Sequence, residues 1–185
     1  MRQFKSGEEV DLWVTQSFPN YREFFDEHEL ELIEDLKGHG LSELNDAIGT
    51  GSMKPVDQAS QLTLDELFQY GITPEPLTLW RSQTWPRGLE CEPIDLVGLD
   101  ISPWGFAATS ATPEWPRARL PMLGKDSLLM EIEVPDQTPL LLTEWLTEGF
   151  GLELEIVLPR TVKVICDDVQ PMEHRSYYTR CHIER

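Results

Sequence analysis

The stretch GLELEIVLPR, residues 151–160, decides how this chain is read. Its apolar and acidic residues alternate, and a strand turns successive side chains to opposite faces. Leu152, Leu154, Ile156 and Leu158 then share one face, and Gly151, Glu153, Glu155 and Val157 the other. On that spacing Glu153 and Glu155 point the same way, about 7 Å apart along a strand. The plain reading is a half-buried antiparallel strand with a solvated outer face. The other reading is a scaffold strand that presents two carboxylates to a ligand.

Working outward, further strand patterns surround this one. SLLMEIEVP (127–135) alternates clearly, and LLL (140–142) offers a short strand. LTLWRS (77–82), VKVI (162–165) and a segment within 176–183 have the same texture, and 94–99 and 104–110 are shorter candidates. Before Pro74 and Pro76 the texture is helical. Phe24, Phe25, Leu30, Leu32, Ile33 and Leu36 form an apolar stripe among acidic residues, which Gly38 and Gly40 are expected to end. LSELNDAI (41–48) predicts a second, shorter helix, and 49–55 a loop. Thr63, with Glu66 three residues on, predicts the capped start of a third helix ending near Gly71. Helices first and strands later predict an α+β fold. The 185 residues suit one domain, 1–185, with a helical portion over 1–72 and a β-rich core over 77–185.

Composition narrows the function. Forty per cent hydrophobic residues and six tryptophans are enough for a core. The net charge of −18 repels phosphate backbones, so nucleic acid is disfavoured and a basic protein surface is the more natural partner. The opening MRQFKSGEEVDLW has no apolar run of the signal-peptide kind, and no stretch is long enough to span a membrane. Three cysteines, few and odd in number, fit free thiols in a reducing compartment, so a cytoplasmic location is expected. Cys181-His182 has no second ligand at metal spacing, and no metal is expected.

Three motifs in order carry a resemblance: LTLWRSQ with Arg81, GFAATSATPE with Thr109 and Ser110, and ELEIVLPR with Glu153 and Glu155. Together they resemble the Arg–Ser–Glu clade of mono-ADP-ribosyltransferases, the cholera-toxin-like group. Within it the chain is similar to the clostridial exoenzymes and to small phage transferases. LSELNDAI and SLLMEIEVPDQTP resemble flanking pieces of the same family, so the likeness runs over roughly residues 40–170.

The resemblance implies N-terminal helices packed on a two-sheet, mainly antiparallel β core. It implies NAD as substrate, no metal, and transfer of ADP-ribose with release of nicotinamide. It gives Glu155 the catalytic carboxylate and Arg81 the NAD phosphates, with Ser82, Thr109 and Ser110 beside the cofactor. In the family a Glu at the position of Glu153 goes with arginine acceptors, which implies a target protein with an accessible arginine. Phe150 and Trp145 fall in the family's target-recognition loop; as plain aromatics they anchor that loop to the core. Arg117 and Arg119 follow the Ser motif and either meet phosphate or offset acidic surface. Ala108 stands where the family has a Ser that hydrogen-bonds the catalytic Glu, so that bond is expected to pass to Thr109 or Ser110. Nucleic-acid modification, NAD hydrolysis and an inactive acidic binding module of the same fold are the competing readings.

Overall fold

The computed structural model describes residues 1–37, 39–86, 89–123, 126–147 and 153–184. Four helices come first: α1 (Gly7–Ser17), α2 (Glu27–Leu36), α3 (Gly40–Thr50) and α4 (Pro55–Leu67). Then follow β1 (Leu77–Thr84), β2 (Ala107–Ser110), the short helix α5 (Glu114–Arg119), β3 (Ser127–Val134), β4 (Glu155–Leu158), β5 (Lys163–Pro171) and β6 (Ser176–Glu184). The fold is α+β, as the sequence predicts.

Local chemistry explains the helix boundaries. Asp26 and Glu29 accept each other's backbone N–H at 2.8 Å, a reciprocal cap that starts α2. Gly40 does not close that helix but opens the next. A Cβ there would lie 2.4 Å from the Asp35 carbonyl oxygen, so only glycine lets α3 start so close to the end of α2. Gly38 lies outside the described residues. The start expected at Thr63 is also corrected, because α4 begins at Pro55. Proline fits the first helical position, and Asp57 accepts the Lys54 N–H at 2.7 Å. The candidate strand at 94–99 is instead a 3-10 turn over Pro93–Leu96, with Asp95 accepting the Glu92 N–H at 3.2 Å. The short strand at 140–142 reduces to one bridge, Leu141 to Val157.

The two-sheet expectation is corrected too. Among the described residues the six strands form one sheet in the order β4-β2-β1-β3-β6-β5. Only the β3–β6 pairing is parallel. β2 joins β1 through a single residue pair, Trp80 with Ser110, whereas β1 pairs with β3 along its whole length. The halves are thus continuous, but only just.

One buried cluster takes Val10, Trp13, Ile33, Leu44 and Leu67 from the helices and Leu79, Met130, Ile132, Ile156 and Leu158 from the strands. Each such side chain contributes about 1.5–3 kcal/mol on leaving water. The helices therefore pack on the sheet and do not stand apart from it. No helix of the described residues is long and apolar enough to cross a membrane.

Asn45 ties α3 to the strand region. Its amide donates to the Phe106 carbonyl at 2.8 Å and accepts the Phe106 N–H at 2.8 Å, as a paired strand would. Gly105 makes room for this: a Cβ there would lie 2.0 Å from the Asn45 Oδ1. Asn45→Ala leaves two main-chain groups of the buried Phe106 unpaired. The expected cost is about 2 kcal/mol, read as a lower urea midpoint with an unchanged slope.

Candidate active site

Strand order brings distant residues into one row. β4, β2 and β1 are neighbours, with Ser110 opposite Glu155 on one side and opposite Trp80 on the other. Arg81 follows Trp80. A cleft of about 860 Å³ opens over this row, and Arg81, Ser82, Thr109, Ser110, Glu153 and Glu155 all line it. A volume of that order suits a small-molecule or cofactor site.

Arg81 is pre-set before any ligand arrives. Its Nη1 donates to the Ala108 carbonyl at 2.6 Å and its Nε to Gln83 Oε1 at 3.1 Å. Burial is the main force that pushes its pKa down, to about 10, with the Arg119 charge adding and Glu155 opposing. It remains a cation at neutral pH. Two guanidinium groups facing one cleft suit an anionic ligand.

The reading of Glu153 and Glu155 needs one correction. β4 begins only at Glu155, and Leu154 before it has a left-handed backbone, φ +49°. The strict alternation across 151–158 is therefore broken at Leu154. Both carboxylates nevertheless line the cleft, and the Glu153 charge acts on Glu155. Val157, placed by alternation on a solvated face, is buried. Ile33, Leu41 and Leu64 from α2, α3 and α4 cover that face of the strand.

Glu155 is held above the ordinary carboxylate range, first by burial and further by Glu153. The Thr143 hydroxyl opposes this most strongly, donating to Oε1 at 2.7 Å, and the Lys37 and Arg81 charges oppose it too. Thr109 and Ser110 do not take over the missing hydroxyl of Ala108. Thr109 donates to the Ile156 carbonyl, and Ser110 to the Glu153 carbonyl at 2.7 Å. Pairing of β2 with β4 aims both hydroxyls at backbone, so they fix the strand and leave the carboxylate to Thr143.

No family model and no curated protein matches the chain. Solved structures do. Plx2a, an ADP-ribosyltransferase toxin from Paenibacillus larvae, aligns over 100% of both chains with TM-score 0.80 at 17% identity. C3stau2 from S. aureus, solved with NAD, aligns over 100% of this chain and 99% of its own, with TM-score 0.73 at 14% identity. Vis, an ADP-ribosyltransferase from Vibrio splendidus solved with agmatine, aligns over 100% and 88%, with TM-score 0.67 at 15% identity. The fold is that of the ADP-ribosyltransferase exoenzymes.

On this ADP-ribosyltransferase fold the structure adds residues that sequence reasoning missed. Trp80, Trp85, Trp104 and Trp115 line the cleft. Their excess in the composition was the available signal. Arg119 lines the same cleft, where its charge acts on Arg81. Glu144 is a third carboxylate beside Glu155, with its side chain 5% exposed and Lys37 Nζ 3.7 Å away. Among the described residues neither of its oxygens finds a close hydrogen-bond donor. Burial, foremost, holds its pKa up, while Lys37 and the Glu155 N–H pull the other way. Trp145 does not line the cleft; its indole N–H donates to Asp11 on α1 at 3.0 Å. Phe150 lies outside the described residues. No group of His, Cys, Asp and Glu among them is arranged to hold a metal.

Proposed function

We propose that this protein transfers ADP-ribose from NAD to an arginine side chain of a target protein. The observation that carries the reading is the convergence of Arg81, Glu153 and Glu155 on one cleft of an ADP-ribosyltransferase fold. C3stau2, of the same fold, is solved with NAD, and Vis with agmatine, a small guanidinium compound.

The chemistry follows from the groups present. In NAD the bond between ribose C1′ and the nicotinamide nitrogen breaks, and its electron pair leaves with neutral nicotinamide. C1′ acquires oxocarbenium character, as in glycoside cleavage. The Glu155 carboxylate stabilises that charge and accepts the ribose 2′-hydroxyl. Arg81 and Arg119 hold the pyrophosphate, and the tryptophan-lined wall holds the flat rings. The acceptor guanidinium docks at Glu153. It loses a proton to that carboxylate as one of its nitrogens bonds to C1′. Asp46, Asp100, Glu153 and Glu155 line the cleft against the guanidinium groups of Arg81 and Arg119, an excess of negative charge that suits a cationic nicotinamide ring and a cationic acceptor.

Labelled NAD, a cell lysate and agmatine test this directly. The wild type is expected to release nicotinamide and to place label on protein arginine and on agmatine. Absence of nicotinamide release with every acceptor overturns the reading and moves weight to a binding module. Arg81→Lys is expected to weaken NAD binding about ten- to a hundredfold by calorimetry. An ammonium cannot keep the carbonyl and amide bonds of the fork while also meeting phosphate.

A further inference from the structure

The carboxylate at the centre of the cleft is held by a residue from outside the motif strands. We infer that Thr143 is the positioning residue for Glu155, and that the N-terminal helices hold Thr143 in place. This rests on the proposed function, which gives Glu155 its role.

Thr143 is 5% exposed, and its hydroxyl sits 2.7 Å from Glu155 Oε1 against 3.3 Å from the Glu155 carbonyl. A hydroxyl has one proton to donate, and the shorter, charge-assisted bond takes it. Thr143 engages Oε1, and no hydrogen bond from the described residues reaches Oε2, whose lone pairs are then open to a ligand. No other side chain does this work among the described residues: Thr109 and Ser110 donate to backbone, and position 108 has no hydroxyl.

The turn that carries Thr143 is clamped from the N-terminal segment at almost every residue. The Leu142 N–H donates to the Tyr21 hydroxyl at 3.4 Å. Glu144 pairs with Lys37, just past α2. Trp145 donates to Asp11 of α1. The Leu146 carbonyl accepts from the Arg22 guanidinium. The Thr147 hydroxyl accepts from Lys37 at 2.5 Å and donates to the Thr143 carbonyl at 3.2 Å. The helices thus fix the turn, and the turn fixes the carboxylate. Arg81 and Lys37 are the cations that act on Glu155, and Glu153 and Glu144 the carboxylates that share its surroundings.

The test is a carbon-13 NMR titration of the Glu155 side-chain carboxyl, assigned with Glu155→Gln, in wild type, Thr143→Val and Thr143→Ser. Valine keeps the volume and loses the donor; serine keeps the donor. In Thr143→Val the titration midpoint should rise, because the bond that favours the ionised form is gone. The acid limb of nicotinamide release should rise with it. The kcat should fall about ten- to a hundredfold with KM for NAD nearly unchanged, and Thr143→Ser should restore all three. Trp145→Phe, which removes the Asp11 bond and part of the ring's packing on the core, should move the midpoint in the same direction by less. Thr143→Ala serves as the donor-free variant if valine does not fold. An unmoved midpoint, or a serine variant no better than valine, overturns the inference. If the wild type releases no nicotinamide, the proposed function fails, and the titration alone still decides whether Thr143 holds Glu155.

Discussion

Glu155→Gln is expected to release nicotinamide from NAD about a hundred- to a thousandfold more slowly than the wild type, the usual loss when a fixed transition-state group is removed. Glutamine keeps the shape of the side chain, and its carbonyl oxygen still accepts from Thr143. What disappears is the negative charge facing the ribose. NAD affinity should change little, because Arg81 and Arg119 face the same cleft unaltered. Calorimetry beside the rate assay separates the two effects. A rate within a few-fold of wild type would remove Glu155 from the reaction.

The same substitution should act on stability in the opposite direction. Burial and Glu153 raise the Glu155 pKa in the folded chain above its unfolded value. Below the ordinary carboxylate range both states hold the proton, and the group adds no pH dependence. As pH rises through the folded pKa, the unfolded state has already lost its proton and the folded state is forced to follow, so stability falls. Glutamine has no proton to lose. The melting temperature of Glu155→Gln, compared with wild type, should therefore improve as the pH rises above the ordinary carboxylate range. A variant that is slower yet relatively more stable at neutral pH cannot owe its rate to misfolding.

The sequence shows what depends on local pattern and hides what depends on a single distant contact. The apolar stripe and the alternation of β3 are repeated signals; β3 appears where its pattern points, and Leu30, Leu32, Ile33 and Leu36 fall on α2, while Phe24 and Phe25 precede it. Arg81, Ser110 and Glu155 were legible as ordered motifs, and the sheet aligns them. Continuity of the sheet was not legible, since it hangs on the Trp80–Ser110 pair. Nor was the left-handed Leu154, which a residue of that type rarely adopts and which no turn residue announces. Thr143 and Glu144 were hidden for a different reason. Their meaning comes from Lys37, Arg22 and Asp11, more than a hundred residues away in the chain. The one local hint was LLL at 140–142, an apolar run that buries the next residue and obliges its hydroxyl to find a partner.

Glu153→Gln should divide the reaction. Transfer to agmatine is expected to fall about a hundredfold or more, the scale of a lost general base. Nicotinamide release without acceptor, measured as NAD hydrolysis, should stay within a few-fold of wild type. Charge makes the difference. An acceptor guanidinium must be bound, turned and deprotonated, and a neutral amide holds a cation only weakly and takes no proton from it. Water needs no such partner. The Glu153 backbone, which accepts from Ser110, is untouched by the change, so the neighbouring strand keeps its anchor. A second readout follows from the same charge. Glu153 helps to raise the pKa of Glu155, so its neutral replacement lowers that pKa and moves the acid limb of hydrolysis to lower pH. Equal loss of transfer and hydrolysis would mean that Glu153 acts on NAD itself, and the two carboxylates would then serve one cation instead of two.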